Sequence, residues 1–277
     1  MRNYVSPSLT VRGRSFEWGS RTYVMGIVNL SPESFSGDGL SNVEDAVRQA
    51  KRLEAEGADI IDVGGQSSRP NFEELSVEQE IERVVRAVRA IVQAVEVPVS
   101  IDAYRAPVAE AALSAGANIV NDIWGLRHDP SMARLVASWG VPVIAMHNQR
   151  GRAFHDVIGD IRAGFEETLA LAHDAALPED RIILDPGFGF GWTAAHSLEM
   201  LRRLAELRDL GFPLLIGTSR KSAIGDALDL PEDQREWGTA ATVALAIANG
   251  ADIVRVHNVR AMAQVARMTD AVVRAGS

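Results

Sequence analysis

Val99-Ser100-Ile101-Asp102, a helical stretch over Ala106–Ala115 stopped by Gly116, and then Ile119-Val120-Asn121-Asp122 make residues 99–122 one complete strand–helix–strand unit. Each short apolar run in it closes on a polar side chain that an ordinary core has no use for. The unit recurs in both directions. Upstream, Tyr23–Val28 leads to Asn29, and Ile60-Ile61 leads to Asp62. Downstream, Val141–Met146 reaches His147, Ile182–Leu184 reaches Asp185, Leu214–Gly217 reaches Ser219-Arg220-Lys221, and Ile253-Val254 reaches Arg255 and His257. Strands alternating with helices predict a parallel sheet. Eight such units close a (β/α)8 TIM barrel of the α/β class, whose chemistry sits at the C-terminal ends of the strands. A single domain over residues 1–277 is expected, with 1–20 as an N-terminal leader, strand or hairpin, covering the barrel bottom.

Composition narrows the function. At 47% hydrophobic and 23% charged residues the chain has the makeup of a soluble globular protein. A formal charge of −9 argues against an extended nucleic-acid surface, while leaving room for a local cationic pocket that holds a small anion. Small molecules are the expected partners. The absence of cysteine removes disulfides, a thiolate nucleophile and Cys-ligated zinc. Neither a signal-peptide pattern nor an apolar run of membrane-spanning length is present, so a cytoplasmic location is expected.

The helices are placed by period and punctuation. Val43, Ala46, Val47, Ala50 and Leu53 form a stripe ending at Gly57; Ser76 and Gln79 have the spacing of a capping box opening a helix through about Ala94. Further helices are predicted over Ser131–Trp139, Ile158–Ala175, Ala194–Leu210, Glu236–Asn249 and Val259–Arg274. Two strand-to-helix connections, Leu30–Asn42 and Gly64–Leu75, are long and rich in Gly, Ser, Pro and Asn, as loops acting as lids would be.

Asp185-Pro186-Gly187-Phe188-Gly189-Phe190-Gly191 sets glycines at alternate positions just past a carboxylate, letting backbone and rings approach a ligand. Ser219-Arg220-Lys221-Ser222 follows the seventh strand, next to Arg255 and His257 on the eighth, where barrels commonly bind phosphate. Arg255 and His257 alternate with Val254 and Val256 and so share a face, with Asn29 on the neighbouring first strand. Asn29 is a neutral oxygen donor suited to Mg2+, which leans on substrate phosphates. Asp102, Asn121 and Asp185 suit the N–H edge of a nitrogen heterocycle. Taken alone, each group has a plainer reading as a tight turn, a solvated cation or a helix cap. Their coincidence at one mouth favours function. His128, His155, His173 and His196 are read as structural, and His147 stays open between the two.

In order and spacing these motifs resemble the dihydropteroate synthases, pterin-binding barrels. The match runs through Met25–Asn29, Ser34-Phe35-Ser36, Asp62-Val63-Gly64-Gly65, Ser67-Ser68-Arg69-Pro70 and Val99–Asp102. It continues in Asn121-Asp122-Ile123, Met146-His147, the glycine-rich loop, Gly217–Ser222 and Arg255-Val256-His257. The resemblance implies a transferase of folate synthesis that joins 6-hydroxymethyl-7,8-dihydropterin diphosphate to p-aminobenzoate by dissociative substitution. It implies Mg2+ and a homodimer. It assigns the pterin to Asp102, Asn121, Asp185 and Lys221 with Met146, Ile123 and Gly217, and the diphosphate to Asn29, Arg255 and His257, with Asn29 on the metal. The p-aminobenzoate pocket falls to Arg69, Ser68, Pro70, Phe190, Lys221 and Ser222. Asp102, Lys221, Arg255 and His257 are the catalytic candidates. Departures from the family pattern are Glu33 and the displaced Asp38 in the first long loop, Gln66 and Ser68 in the second, and Ala103, Trp192 and Asn258. Two alternatives share the barrel: a pterin-binding methyltransferase, against which Arg69 and Ser219–Ser222 argue, and a catalytically silent pterin-binding paralogue.

Overall fold

The alternation along each strand becomes the division between the inside and the outside of a barrel. The structure, a computed structural model, describes residues 4–30, 39–65 and 75–274, without the side chains of 39–42. An antiparallel hairpin, β1 (Ser8–Val11) and β2 (Arg14–Glu17), comes first. The barrel strands are β3 (Tyr23–Asn29), β4 (Ile60–Gly64), β5 (Val99–Asp102), β6 (Ile119–Asp122), β7 (Val143–Met146), β8 (Ile182–Asp185), β9 (Leu215–Ile216) and β10 (Ile253–Val256). Parallel ladders join them in the order β8-β7-β6-β5-β4-β3-β10-β9. A bridge between Leu184 and Leu214 completes the ring, with the Leu184 N–H donating to the Pro213 carbonyl at 3.0 Å.

Helices α1 (Gly39–Ala55), α2 (Val77–Ala94), α3 (Ala106–Ser114), α4 (Met132–Trp139), α5 (Val157–Asp174), α6 (Ala194–Arg203), α7 (Ser222–Leu228), α8 (Glu236–Ala248) and α9 (Val259–Val273) surround the strands. Val24, Val28, Ile61, Val63, Val99, Ile101, Val120, Val143, Leu184, Val254 and Val256 point outward and merge with the buried helix faces in one apolar cluster. The alternate residues, Tyr23, Met25, Ile60, Ile119, Ile144, Ile183, Leu215 and Ile253, point inward and form a second cluster with Leu9, Val11, Phe16 and Trp18 of the hairpin region. The far end of the barrel is therefore stoppered by the hairpin. Burying one such side chain is worth about 1.5–3 kcal/mol, so both layers contribute heavily to stability.

One further step of the same inward register changes the lining. Ile60 is succeeded by Asp62, Ser100 by Asp102, Ile119 by Asn121, Ile144 by Met146, Ile183 by Asp185 and Ile253 by Arg255. The period that fills the bottom mainly with hydrocarbon thus brings polar side chains to the mouth, with Met146 the apolar exception.

Helix boundaries follow the capping chemistry. Ser76 Oγ accepts the Gln79 N–H at 3.2 Å while the Ser76 N–H donates to Gln79 Oε1 at 3.1 Å, the reciprocal pair the sequence predicts for α2. The helix expected to run to Leu210 stops at Arg203 and tightens to a 3-10 turn over Leu204–Leu210. There Asn249 Nδ2 donates to the Leu201 carbonyl at 2.8 Å and Arg162 bonds the Glu206 carbonyl, so these acceptors are engaged from outside the helix. The seven-residue α7 was not expected from the sequence. Most of the two long connections, 31–38 and 66–74, lies outside the described residues, including Glu33, Asp38, Gln66, Ser68, Arg69 and Pro70. Among the described residues no helix is long and apolar enough to cross a membrane.

Candidate active site

Four strands are tied together at one arginine. Arg255, on β10, donates from Nε to Asp62 Oδ2 on β4 at 2.7 Å and from Nη2 to Asp102 Oδ2 on β5 at 3.0 Å. Asn121 Nδ2, on β6, donates to the same Asp62 oxygen at 3.1 Å. Burial pushes the Asp102 carboxyl up to about 7; Arg255 opposes that rise and the nearby Asp62 adds to it. Burial works against the Arg255 charge as well, but Asp62 and Asp102 outweigh it and the guanidinium is held above its ordinary value.

Asp185 ends β8 and opens the glycine-rich loop. Its Oδ1 accepts the Gly187 N–H at 2.7 Å, and burial pushes its carboxyl up to about 6. Gly187 and Gly191 have φ of 77° and 80°, and a Cβ there would lie 1.9 Å from the His147 carbonyl oxygen and 2.4 Å from the Arg150 nitrogen. Only glycine fits that path. It presents the Phe190 ring to two cations, with Lys221 Nζ 4.0 Å and Arg150 Cζ 5.0 Å from its centroid. Burial, and next the charge of Arg255, pull the Lys221 ammonium down to about 8. Phe190 also packs with Ile123 and Met146, and Tyr104 and Trp124 border the patch. The mouth thus combines an apolar wall with a polar floor of Asp102, Asn121 and Asp185, a shape that suits a flat, N–H-bearing ring.

Beside it lie the groups expected to grip an anion. Arg220 adopts a left-handed φ of 59°, with its N–H donating to Thr239 Oγ1 at 3.1 Å, in the bend between Ser219 and Lys221. Ser219 Oγ accepts the His257 backbone N–H at 3.3 Å and lies 2.9 Å from His257 Nδ1. With the hydroxyl proton given to Nδ1, His257 Nε2 becomes the N–H donor. Asn29 ends β3 with Oδ1 3.6 Å from where a Gly64 Cβ would stand, and Asp102 Oδ2 is 3.8 Å from the same point. Gly64 therefore leaves the space between them open. Among the described residues no three His, Cys, Asp or Glu side chains converge as a metal site. A lone Asn oxygen beside a carboxylate still fits Mg2+ carried mainly by a substrate diphosphate.

Gly217 follows β9, where a Cβ would be 3.7 Å from Arg255 Cβ, and Ser222 begins α7. Two groups close in sequence face away from the mouth. Asp122 accepts the Trp124 and Leu126 N–H groups at 2.8 and 2.7 Å and is a structural cap. His147, left open by the sequence, is fully buried, with Nε2 2.8 Å from Gln149 Oε1 and burial pulling it down to about 4. It is structural, and Trp192 packs against its ring at 5.7 Å. Sequence reasoning did not single out Asp62 as a site residue, although its strand-end position carried the same signal as Asp102.

Fold and mouth together define a class, a barrel enzyme that binds a pterin-like heterocycle beside an anion. The family model described as pterin binding enzyme matches residues 25–257. The chain is 46% identical over 268 residues to the dihydropteroate synthase of Clostridium beijerinckii, covering 96% of this chain and 100% of that one. The dihydropteroate synthase of Clostridium difficile, solved in the presence of pteroic acid, superposes with a TM-score of 0.91 at 45% identity, over 94% of this chain and 99% of that one. The Xanthomonas albilineans dihydropteroate synthase with 4-aminobenzoic acid superposes with a TM-score of 0.90 at 38% identity, over 97% and 98% of the two chains. The chain belongs to the dihydropteroate synthases of the pterin-binding enzyme family, transferases of folate biosynthesis. The methyltransferase alternative is left without support.

Proposed function

We propose that the barrel mouth condenses 6-hydroxymethyl-7,8-dihydropterin diphosphate with p-aminobenzoate, giving 7,8-dihydropteroate and diphosphate, by dissociative substitution. The observation that carries this reading is the Arg255 cluster, which sets the Asp102 carboxylate and the Asn121 amide for the ring next to a cation for the leaving group. Asp185 accepts N–H bonds from the aminopyrimidine edge, Asn121 reads the ring beside it, and Lys221 donates to a ring acceptor. Met146 and Ile123 cover the ring face, and Gly217 leaves room for it.

The bond between the pterin methylene carbon and the diphosphate oxygen breaks first, and its electron pair leaves with the diphosphate. Arg255 and His257 Nε2 stabilise that anion, while the Asp102 carboxylate favours the positive charge left on the pterin. The aryl amine then forms the new C–N bond and gives up its proton to the departing diphosphate or to solvent. Phe190, Lys221 and Ser222, with Ser68, Arg69 and Pro70 from the second long loop, hold p-aminobenzoate and keep water from the cation. Mg2+, held by Asn29 and the substrate, would neutralise charge on the departing diphosphate.

In this reading the protein acts in the cytoplasm as a homodimer. Exposed apolar side chains on two neighbouring helices, Trp237 and Leu245 of α8 and Met268 and Val272 of α9, supply a surface for a second copy. Sedimentation of Trp237→Lys as a monomer would support it; an unchanged mass would count against that surface. The decisive assay incubates the purified protein with both substrates and Mg2+ and measures dihydropteroate, repeated with EDTA. A folded protein that makes none overturns the proposal, and full turnover in EDTA overturns the metal's part in it.

A further inference from the structure

Asp62 has no substrate contact in the reading above, yet it is fully buried at the mouth, in register between Ile27 of β3 and Ser100 of β5. Its Oδ2 accepts from both Arg255 Nε and Asn121 Nδ2, and its Oδ1 is buried with no hydrogen-bond partner among the described residues. A buried ion pair is a poor source of stability, and an apolar residue extending the layer of Ile60 would serve the fold as well or better. What the carboxylate supplies is orientation. An arginine has about 2 kcal/mol of rotamer entropy to lose before it can serve as a fixed donor. Here Nε is committed to Asp62 and Nη2 to Asp102, so the plane of the guanidinium is set, and its third corner, Nη1, bonds no described residue. The Arg255 side chain remains 21% exposed. The same Asp62 oxygen takes the Asn121 Nδ2, which turns the Asn121 carbonyl oxygen away from Asp62.

We infer that Asp62 is a positioning residue for the leaving group: it holds Arg255 Nε so that Nη1 meets the departing diphosphate without reorganisation, and it fixes the amide of Asn121 for the ring. This rests on the proposed role of Arg255. The test is a double-mutant cycle of Asp62→Asn, which keeps the volume, with Arg255→Gln. Asp62→Asn should lower kcat roughly 10- to 100-fold while the KM for p-aminobenzoate moves less than about threefold. Once Arg255 is Gln, adding Asp62→Asn should cost several-fold less than it does alone, the remainder being its hold on Asn121. A wild-type kcat for Asp62→Asn beside an impaired Arg255→Gln, or effects that multiply, overturn the inference while leaving the role of Arg255 standing. Full activity of Arg255→Gln overturns that role, and this inference with it. Should Asp62→Asn not fold, the wild-type protein decides by nuclear magnetic resonance. The Arg255 Nε–H signal, assigned by its loss in Arg255→Gln, should stay downfield and protected from exchange when pterin diphosphate is added; its release to solvent overturns the inference.

Discussion

Replacing Asp185 with Asn should stabilise the free protein and remove its affinity for pterin. The carboxyl is raised from 3.8 to about 6, chiefly by burial. That rise corresponds to about 3 kcal/mol of unfavourable interaction in the ionised folded state. Asn keeps the volume and the oxygen that accepts the Gly187 N–H at 2.7 Å, so the loop keeps its anchor. Because the folded value lies above the unfolded one, stability contributed by this group is fully present below pH 3.8 and is lost as pH rises through about 6. The variant should therefore melt several degrees above the wild type at pH 7.5, with the difference vanishing near pH 4. Toward pterin the change runs the other way. An amide presents N–H donors to N–H donors, and losing a charged acceptor costs about 2–5 kcal/mol, or roughly 30- to 4000-fold in Kd. Thermal melts between pH 4 and 8 and calorimetry with the pterin substrate test both halves. Unchanged pterin affinity, or an Asn variant that melts below the wild type at pH 7.5, would refute the reasoning.

Three further outcomes are expected. Pterin affinity should fall at least about tenfold from pH 7 to pH 5 as Asp185 and Asp102 are protonated, and kcat/KM should fall above pH 8 as Lys221 loses its proton. In Lys221→Arg the alkaline fall should move to higher pH, and an unmoved limb would clear Lys221 of it. Arg69→Ala should raise the p-aminobenzoate requirement more than it weakens pterin binding, and the free protein should not bind p-aminobenzoate measurably; tight binding to the free protein in calorimetry would count against a pocket completed by the loops. Gly164→Ala would place a Cβ 1.9 Å from His147 Nδ1, and should cost about 1–3 kcal/mol in stability while leaving substrate Kd values alone. A wild-type melting temperature would show that the contact relaxes freely.

What could be read in the sequence was whatever a short period carries. Alternation along Ile253–Val256 places Arg255 on the inward face, and the same rule separates Asn121 from its neighbour Asp122, which turns outward to cap a loop. The capping box at Ser76 is equally local, since donor and acceptor lie within one helical turn. Asp62 shows where such reading stops. Its partner Arg255 is 193 residues away, and only closure of the ring brings the pair to 2.7 Å, so nothing beside Asp62 in the chain distinguishes it from any other strand-end carboxylate. The early end of α6 is the same kind of event, because it depends on Asn249 reaching Leu201 across 48 residues. His147 was undecidable for a further reason: its place after β7 fits either face until the helix carrying Gly164 is seen packed on its ring.

The stopper made by Leu9, Val11, Phe16 and Trp18 leaves the barrel with one door. Traffic through a single opening is last in, first out. A ligand seated on Asp102, Asn121 and Asp185 has to enter before anything that covers it, and the finished product has to withdraw along the path its two halves used. Substrate order is then a property of the container, present even with every loop held open. An aromatic amine arriving before the pterin finds no pocket to hold it and leaves again, so excess p-aminobenzoate should not inhibit its own consumption.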